Sequence, residues 1–156
     1  MVDVLEPYTK ELADLKRDLP NILRKILIDK KQEVLKILKE EQLNKGLDSS
    51  GKVVGTYSPT TEQISIENQL LGRKPRKPKE AGQPYNFEDT GDFFDGFDLM
   101  FEDFKSYSLF SRDSKADFLE QEYGDISTLT DKHNERVNQE ILRPEMYEEI
   151  IKRLFI

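Results

Sequence analysis

Residues 84–101, PYNFEDTGDFFDGFDLMF, decide the fold class of this chain. A Thr90-Gly91 turn set between acids runs into a dense aromatic stretch, with no nucleophile, metal-ligand set or phosphate loop beside it. Beyond Gly96 the apolar residues alternate: Phe97, Leu99 and Phe101, then Tyr107 and Leu109 after the polar break Glu102-Asp103. Alternation of this kind lays one side of an extended segment against a core. It predicts a two-stranded antiparallel ribbon over residues 96–102 and 105–111. Phe93 and Phe94 fall in a short helical turn just before it. The phenylalanines Phe93, Phe94, Phe97, Phe101 and Phe104 exceed what one ribbon face buries, because successive strand residues point to opposite sides. The excess calls for a second layer or another chain.

The upstream companion is GKVVGTYSPTT, residues 51–61, a second glycine-rich turn that ends in Tyr57-Ser58-Pro59. Before it, residues 4–18 predict a short helix. Asp18-Leu19-Pro20 predicts a stop and restart, with Asp18 as a cap and Pro20 in a new first turn. Asn21 to Leu43 is the most strongly helical segment: Ile22, Leu23, Ile26, Leu27, Val34, Leu35, Ile37, Leu38 and Leu43 recur at three- and four-residue steps. Gly46 supplies a left-handed stop. Residues 58–84 predict a long exposed arm, with a helical turn around Glu62 to Leu71 and a basic run of Arg73, Lys74, Arg76, Lys77 and Lys79. Ser114 is expected to cap a helix over Lys115 to Tyr123. Thr130 is expected to cap a last helix that Pro144 kinks or splits. The sum is one α+β domain, 1–156: a long N-terminal helix, an antiparallel ribbon or small sheet and C-terminal helices. The arm 58–84 is exposed, and 130–156 is a helical extension.

The chain has 156 residues and a formal net charge of −7, which disfavours non-specific binding to nucleic acid or anionic membrane. It contains no cysteine, which excludes thiolate catalysis and disulfides. No apolar run reaches the length of a membrane span, and the N-terminus lacks the apolar core of a signal peptide, so a cytoplasmic origin is expected.

Chemistry-bearing candidates are few. Glu88, Asp89, Asp92, Asp95, Asp98, Glu102 and Asp103 are the one acidic run that suits acid–base or metal work, but their spacing matches no EF-hand and no histidine accompanies them. A solvated face with turn caps is the expected reading. His133, the sole histidine, is placed on the polar side of the last helix, with no triad around it. Gly46, Gly51 and Gly55 fit no nucleotide fingerprint. No catalytic residue, metal or cofactor is expected. The basic run suits an acidic surface on a neighbouring subunit better than a nucleic acid, although Tyr85 or Phe87 offers a ring for base stacking.

The order of these turns carries a resemblance. Gly46, Asp48 and Gly51 come first, then Gly55, Tyr57, Ser58, Pro59 and Thr61. Lys79, Gly82, Gln83 and Pro84 follow, and Asp89-Thr90-Gly91-Asp92-Phe93 leads into the ribbon. Over about residues 40–130 this resembles the neck and tail-completion (virion-morphogenesis) proteins of tailed bacteriophages, in the versions found in phages of Bacteroidetes-type hosts. The resemblance implies an α+β subunit without catalysis that forms a homo-oligomeric ring and joins portal, adaptor or tail-tube proteins. It also implies a virion location after assembly in the host cytoplasm, with DNA in the channel within reach and no membrane contact. Phe87 departs from it, standing where the family has a leucine-like residue. Two other readings stay open: a small acidic regulatory protein that mimics nucleic acid, and a metal-dependent hydrolase using the run 88–103.

Overall fold

The computed structural model describes residues 6–73, 77–103 and 106–155. Helices α1 (Glu6–Asp29), α2 (Lys31–Lys36), α3 (Pro59–Leu70) and α4 (Asp92–Asp95) precede strands β1 (Phe97–Phe101) and β2 (Tyr107–Ser111). Helices α5 (Ala116–Tyr123), α6 (Asp131–Arg136) and α7 (Arg143–Phe155) complete the chain. The class is α+β, as expected.

The stop predicted at Asp18-Leu19-Pro20 is absent, and α1 runs through Pro20. Leu15, Ile22 and Ile26 are buried, and Leu19 packs with them. Their three- and four-residue steps stay in phase across the proline, so burying the stripe against α7 outweighs the hydrogen bond that Pro20 cannot make. Asp18 caps nothing; it meets Arg153 of α7 at 3.2 Å. The break falls instead at Lys30 (φ −97°, ψ 9°), whose ammonium joins Glu33 at 3.1 Å and Glu145 at 2.9 Å.

From α2 the chain continues through a π-helical segment, Ile37–Gln42, and a 3-10 turn, Leu43–Lys45, to the left-handed Gly46. There Gly46 N–H reaches the Leu43 carbonyl at 2.9 Å and Leu47 N–H the Gln42 carbonyl at 3.1 Å, a glycine-centred helix stop. A second π-helical segment, Val137–Leu142, joins α6 to α7. Pro144 does not split the helix, which runs on to Phe155. The wider turn ahead of it makes room for a ring that would otherwise press on the carbonyl four residues back. Residues 130–155 are no extension: Val137, Ile141 and Leu142 belong to the core, with Ile150 and Leu154 packed against it.

The ribbon forms in the expected place, with Phe97 opposite Ser111, Leu99 opposite Leu109 and Phe101 opposite Tyr107. Phe93 and Phe94 do not belong to it. They enter the same core from α4, with Phe93 4.9 Å from the Phe97 ring and 6.2 Å from Phe94. Phe101 lies half-buried under the Arg24 guanidinium, 4.6 Å from its ring centre. The helices and α4 therefore absorb these four phenylalanines within one chain, and Phe104 lies outside the described residues. Before α5, Asp113 rather than Ser114 takes the free amide, accepting from Lys115 N–H at 2.7 Å.

Between the two helical halves lies a buried polar knot. Gln42 is 0% exposed. Its amide nitrogen donates to the Thr128 carbonyl at 2.7 Å, and its oxygen accepts from Thr130 N–H at 2.9 Å. The same oxygen lies 3.1 Å from His133 Nδ1, so that ring nitrogen carries the proton. His133, expected at the surface, is buried at 8% exposure, and Thr130 caps α6 through His133 N–H at 3.2 Å. Burial holds the imidazole below its ordinary pKa of 6.5. The folded state then resists a proton that the unfolded chain accepts, so this contribution is complete above the free-imidazole value and drains as pH falls below it. Unfolding free energy is expected to fall between about pH 7 and pH 5 in urea titrations, and the slope to flatten in His133→Gln.

Candidate functional site

The two turn motifs of the sequence meet in space. Asp48 folds the first by accepting from Ser50 N–H and Lys52 N–H, each at 2.9 Å. Val54 N–H then reaches the Gly46 carbonyl at 2.9 Å. Residues 55–57 run beside 82–85: Tyr85 N–H donates to Gly55 O at 3.1 Å, Tyr57 N–H to Gln83 O at 2.9 Å and Gly82 N–H to Tyr57 O at 2.9 Å. The approach is so close that a Cβ on Gly46 would lie 2.6 Å from the Tyr85 carbonyl oxygen, and one on Gly55 2.5 Å from the Tyr85 ring. Gly46 also has φ +67°, so two separate constraints require glycine there.

Side chains finish the joint. Tyr57 and Asn86 bond twice, hydroxyl to Asn86 Oδ1 at 3.0 Å and Asn86 N–H to the hydroxyl at 3.1 Å. Burial pushes the Tyr57 phenol above its ordinary pKa. Asn86 Oδ1 also accepts from Glu88 N–H at 3.0 Å. Phe87 has φ +52°, rare for a non-glycine residue. Its ring, 6.4 Å from Phe93 and 5.5 Å from Tyr123, holds it there. Gly91 has φ +98° at the Thr-Gly turn. Thr90 donates to Asp92 at 2.7 Å and accepts its N–H at 3.4 Å. Tyr57, Tyr85, Phe87, Phe93 and Tyr123 enclose a cavity of about 350 Å³ edged by Lys79 and Asp89.

Of the basic run, Lys77 and Lys79 turn back onto their own chain. Lys77 meets Glu88 at 3.3 Å and Lys79 meets Asp89 at 2.9 Å, so Asp89 serves this pair rather than the turn amides. Arg73 is exposed beyond the end of α3, and Lys74 and Arg76 lie outside the described residues. The acidic run is parcelled out in the same manner. Asp98 is held by Lys31 at 2.9 Å and by Arg112, and the Lys31 contact keeps its carboxyl below the usual range. Asp103 accepts from Ser106 N–H at 2.7 Å. Among the described residues no three histidine, aspartate or glutamate side chains are grouped to hold a metal, and no helix is long and apolar enough to cross a membrane.

Tyr57-Ser58-Pro59-x-Thr61 is the start of α3. Ser58 Oγ accepts from Thr61 N–H at 3.2 Å, and Pro59 occupies the first turn. The predicted single helical turn is thus a helix of 12 residues. None of its residues belongs to the hydrophobic core, and only Ser65 is buried. Ile64, Ile66, Leu70 and the following Leu71 are 52%, 51%, 82% and 73% exposed. The sequence reading placed an exposed arm here but signalled neither the Ser58 cap nor the length of the helix. Asn86, central to the joint, carried no sequence signal, and Tyr85 and Phe87, offered as stacking rings, pack against Tyr57, Phe93 and Tyr123 instead.

No protein-family model, curated protein or solved structure matches the chain.

Gly46→Ala is expected to cost about 2 kcal/mol or more in chemical unfolding, since both backbone angle and contact fail. Tyr57→Phe strands the buried Asn86 N–H and is expected to cost about 1–3 kcal/mol in the same measurement.

Proposed function

We propose that this chain is a structural subunit of a tailed-phage particle, in the head–tail connector or tail-completion region, assembling as a ring through contacts between copies. One observation carries the assembly reading: α3 is capped and formed, yet it and the following Leu71 hold four large aliphatic side chains in water. A helix of this length is marginal on its own, and most helical stability comes from burying one face. Fully burying a leucine or isoleucine side chain is worth about 1.5–3 kcal/mol. Such a helix gains its packing when another surface covers it.

The phage identity rests on the resemblance of the turn residues, and those residues build the joint from which α3 projects. Portal, adaptor or tail-tube proteins are the proposed neighbours, with DNA in the channel as a further contact and the virion as the location. No catalytic role is assigned. Glu88, Asp89 and Asp98 are committed to Lys77, Lys79 and Lys31, which favours neither a hydrolase nor a nucleic-acid mimic.

Light scattering on the purified chain is expected to give masses that are multiples of 18.3 kDa and rise with concentration. A monomer at every concentration, with no affinity for portal or tail components, overturns the reading.

A further inference from the structure

The hydrogen-bond phase of the ribbon decides which of its peptide groups stay free. Arg112 N–H reaches the Gly96 carbonyl at 2.9 Å and Glu102 N–H the Ser106 carbonyl at 3.2 Å. With the register of the two strands, this makes the even-numbered residues the hydrogen-bonded pairs, and the odd-numbered ones turn their peptide groups outward. The β1 edge lies beside α2, and Leu99 N–H is taken there by the Asp98 carboxylate at 2.8 Å. On β2 the outward peptide groups of Tyr107 and Leu109 have no partner among the described residues, although Leu109 is only 7% exposed. Buried main-chain groups are nearly always paired, so this edge is built to be covered by donors and acceptors.

A groove of about 590 Å³ runs along it. Four consecutive residues, 106–109, line this groove, facing Leu23 and Leu27 of α1 and Leu129 before α6. Side chains of consecutive strand residues alternate between faces, so what the four share is the edge itself. Leu99, opposite Leu109 on the same face, does not line the groove. Glu102 and Asp131 border it, both exposed and without an ionic partner among the described residues. Its one cation, Arg24, lies over the Phe101 ring. The extended pieces of the turn joint are paired with each other, residues 55–57 beside 82–85, which leaves the β2 edge to another polypeptide.

We infer that the β2 edge takes an extended segment of a partner protein as a third strand of the ribbon. Main-chain bonds to Tyr107 and Leu109 hold the segment, which a helix cannot do because its own peptide groups are already spent. Every second side chain of the segment then points to Leu23, Leu27 and Leu129 and is apolar. Lysine or arginine at the remaining positions answers Glu102 and Asp131. The inference stands apart from the self-assembly proposed above, since it needs neither α3 nor a ring.

A short fluorescein-labelled peptide of alternating lysine and valine is the probe, with binding to the full chain followed by fluorescence anisotropy. Methylating the amide nitrogens of one alternate set removes the donors that face β2. It is expected to lower affinity about tenfold or more, while methylation of the other set is tolerated. A sensitive valine set marks an antiparallel third strand, and a sensitive lysine set a parallel one. Glu102→Lys with Asp131→Asn, checked for folding by thermal unfolding, is expected to bind the unmethylated peptide about threefold more weakly. Absence of binding at millimolar peptide overturns the inference. So does equal loss from both methylated sets, loss from neither, or a folded charge variant that binds like the parent. If the charge variant does not fold, the methylated peptides decide on the parent chain alone. Each of these results leaves self-assembly to be read separately by light scattering.

Discussion

A single carboxamide decides how the two helical halves of this molecule meet. Gln42 has no exposed surface, and its amide and oxygen answer the Thr128 carbonyl, the Thr130 amide and the His133 ring. A buried polar group left unpaired costs on the order of 1–3 kcal/mol, so the end of the first long helix and the start of the last one are mutually obliged. Burial of Val34, Leu38, Val137 and Ile141 in one core follows from that alignment. So does the position of Gly46, which must stop the helix where Tyr85 passes.

From that stop the chain builds its second structure, a joint of short turns rather than a layer. Residues 46–57 and 82–93 are held together by backbone bonds, the Tyr57–Asn86 pair and a cluster of rings. The joint leaves α3 standing off the core and keeps Lys77 and Lys79 on nearby carboxylates. The helical core folds the molecule, and the joint holds a helix that the core does not use.

Much of this could be read in the residues. The alternation from Phe97 to Leu109 placed the ribbon, and Gly46, Gly91 and Thr130 marked turns and caps that the structure contains. Local rules failed where distant packing prevailed. Pro20 looks like a boundary, yet Leu15, Leu19, Ile22 and Ile26 hold the helix straight through it against α7. His133 and Gln42 look like surface residues because each is polar among polar neighbours, and only their pairing across the chain buries them. The joint was visible as glycines, but the Ser58 cap was not, and Tyr85 gave no hint that it would press on two of those glycines.

The paired π-helical segments have a consequence for how the gene can vary. Each closes its hydrogen-bonded turn with one residue more than an α-helix, so each behaves as an accommodated insertion. Winding Ile37–Gln42 as ideal α-helix at unchanged length would rotate Leu43 and the glycine stop by about 100° around the axis. The same rewinding of Val137–Leu142 would swing Ile150 and Leu154 off the core. Regularising either helix at constant length therefore dismantles the register that its irregularity creates, whereas loss of one residue there keeps it.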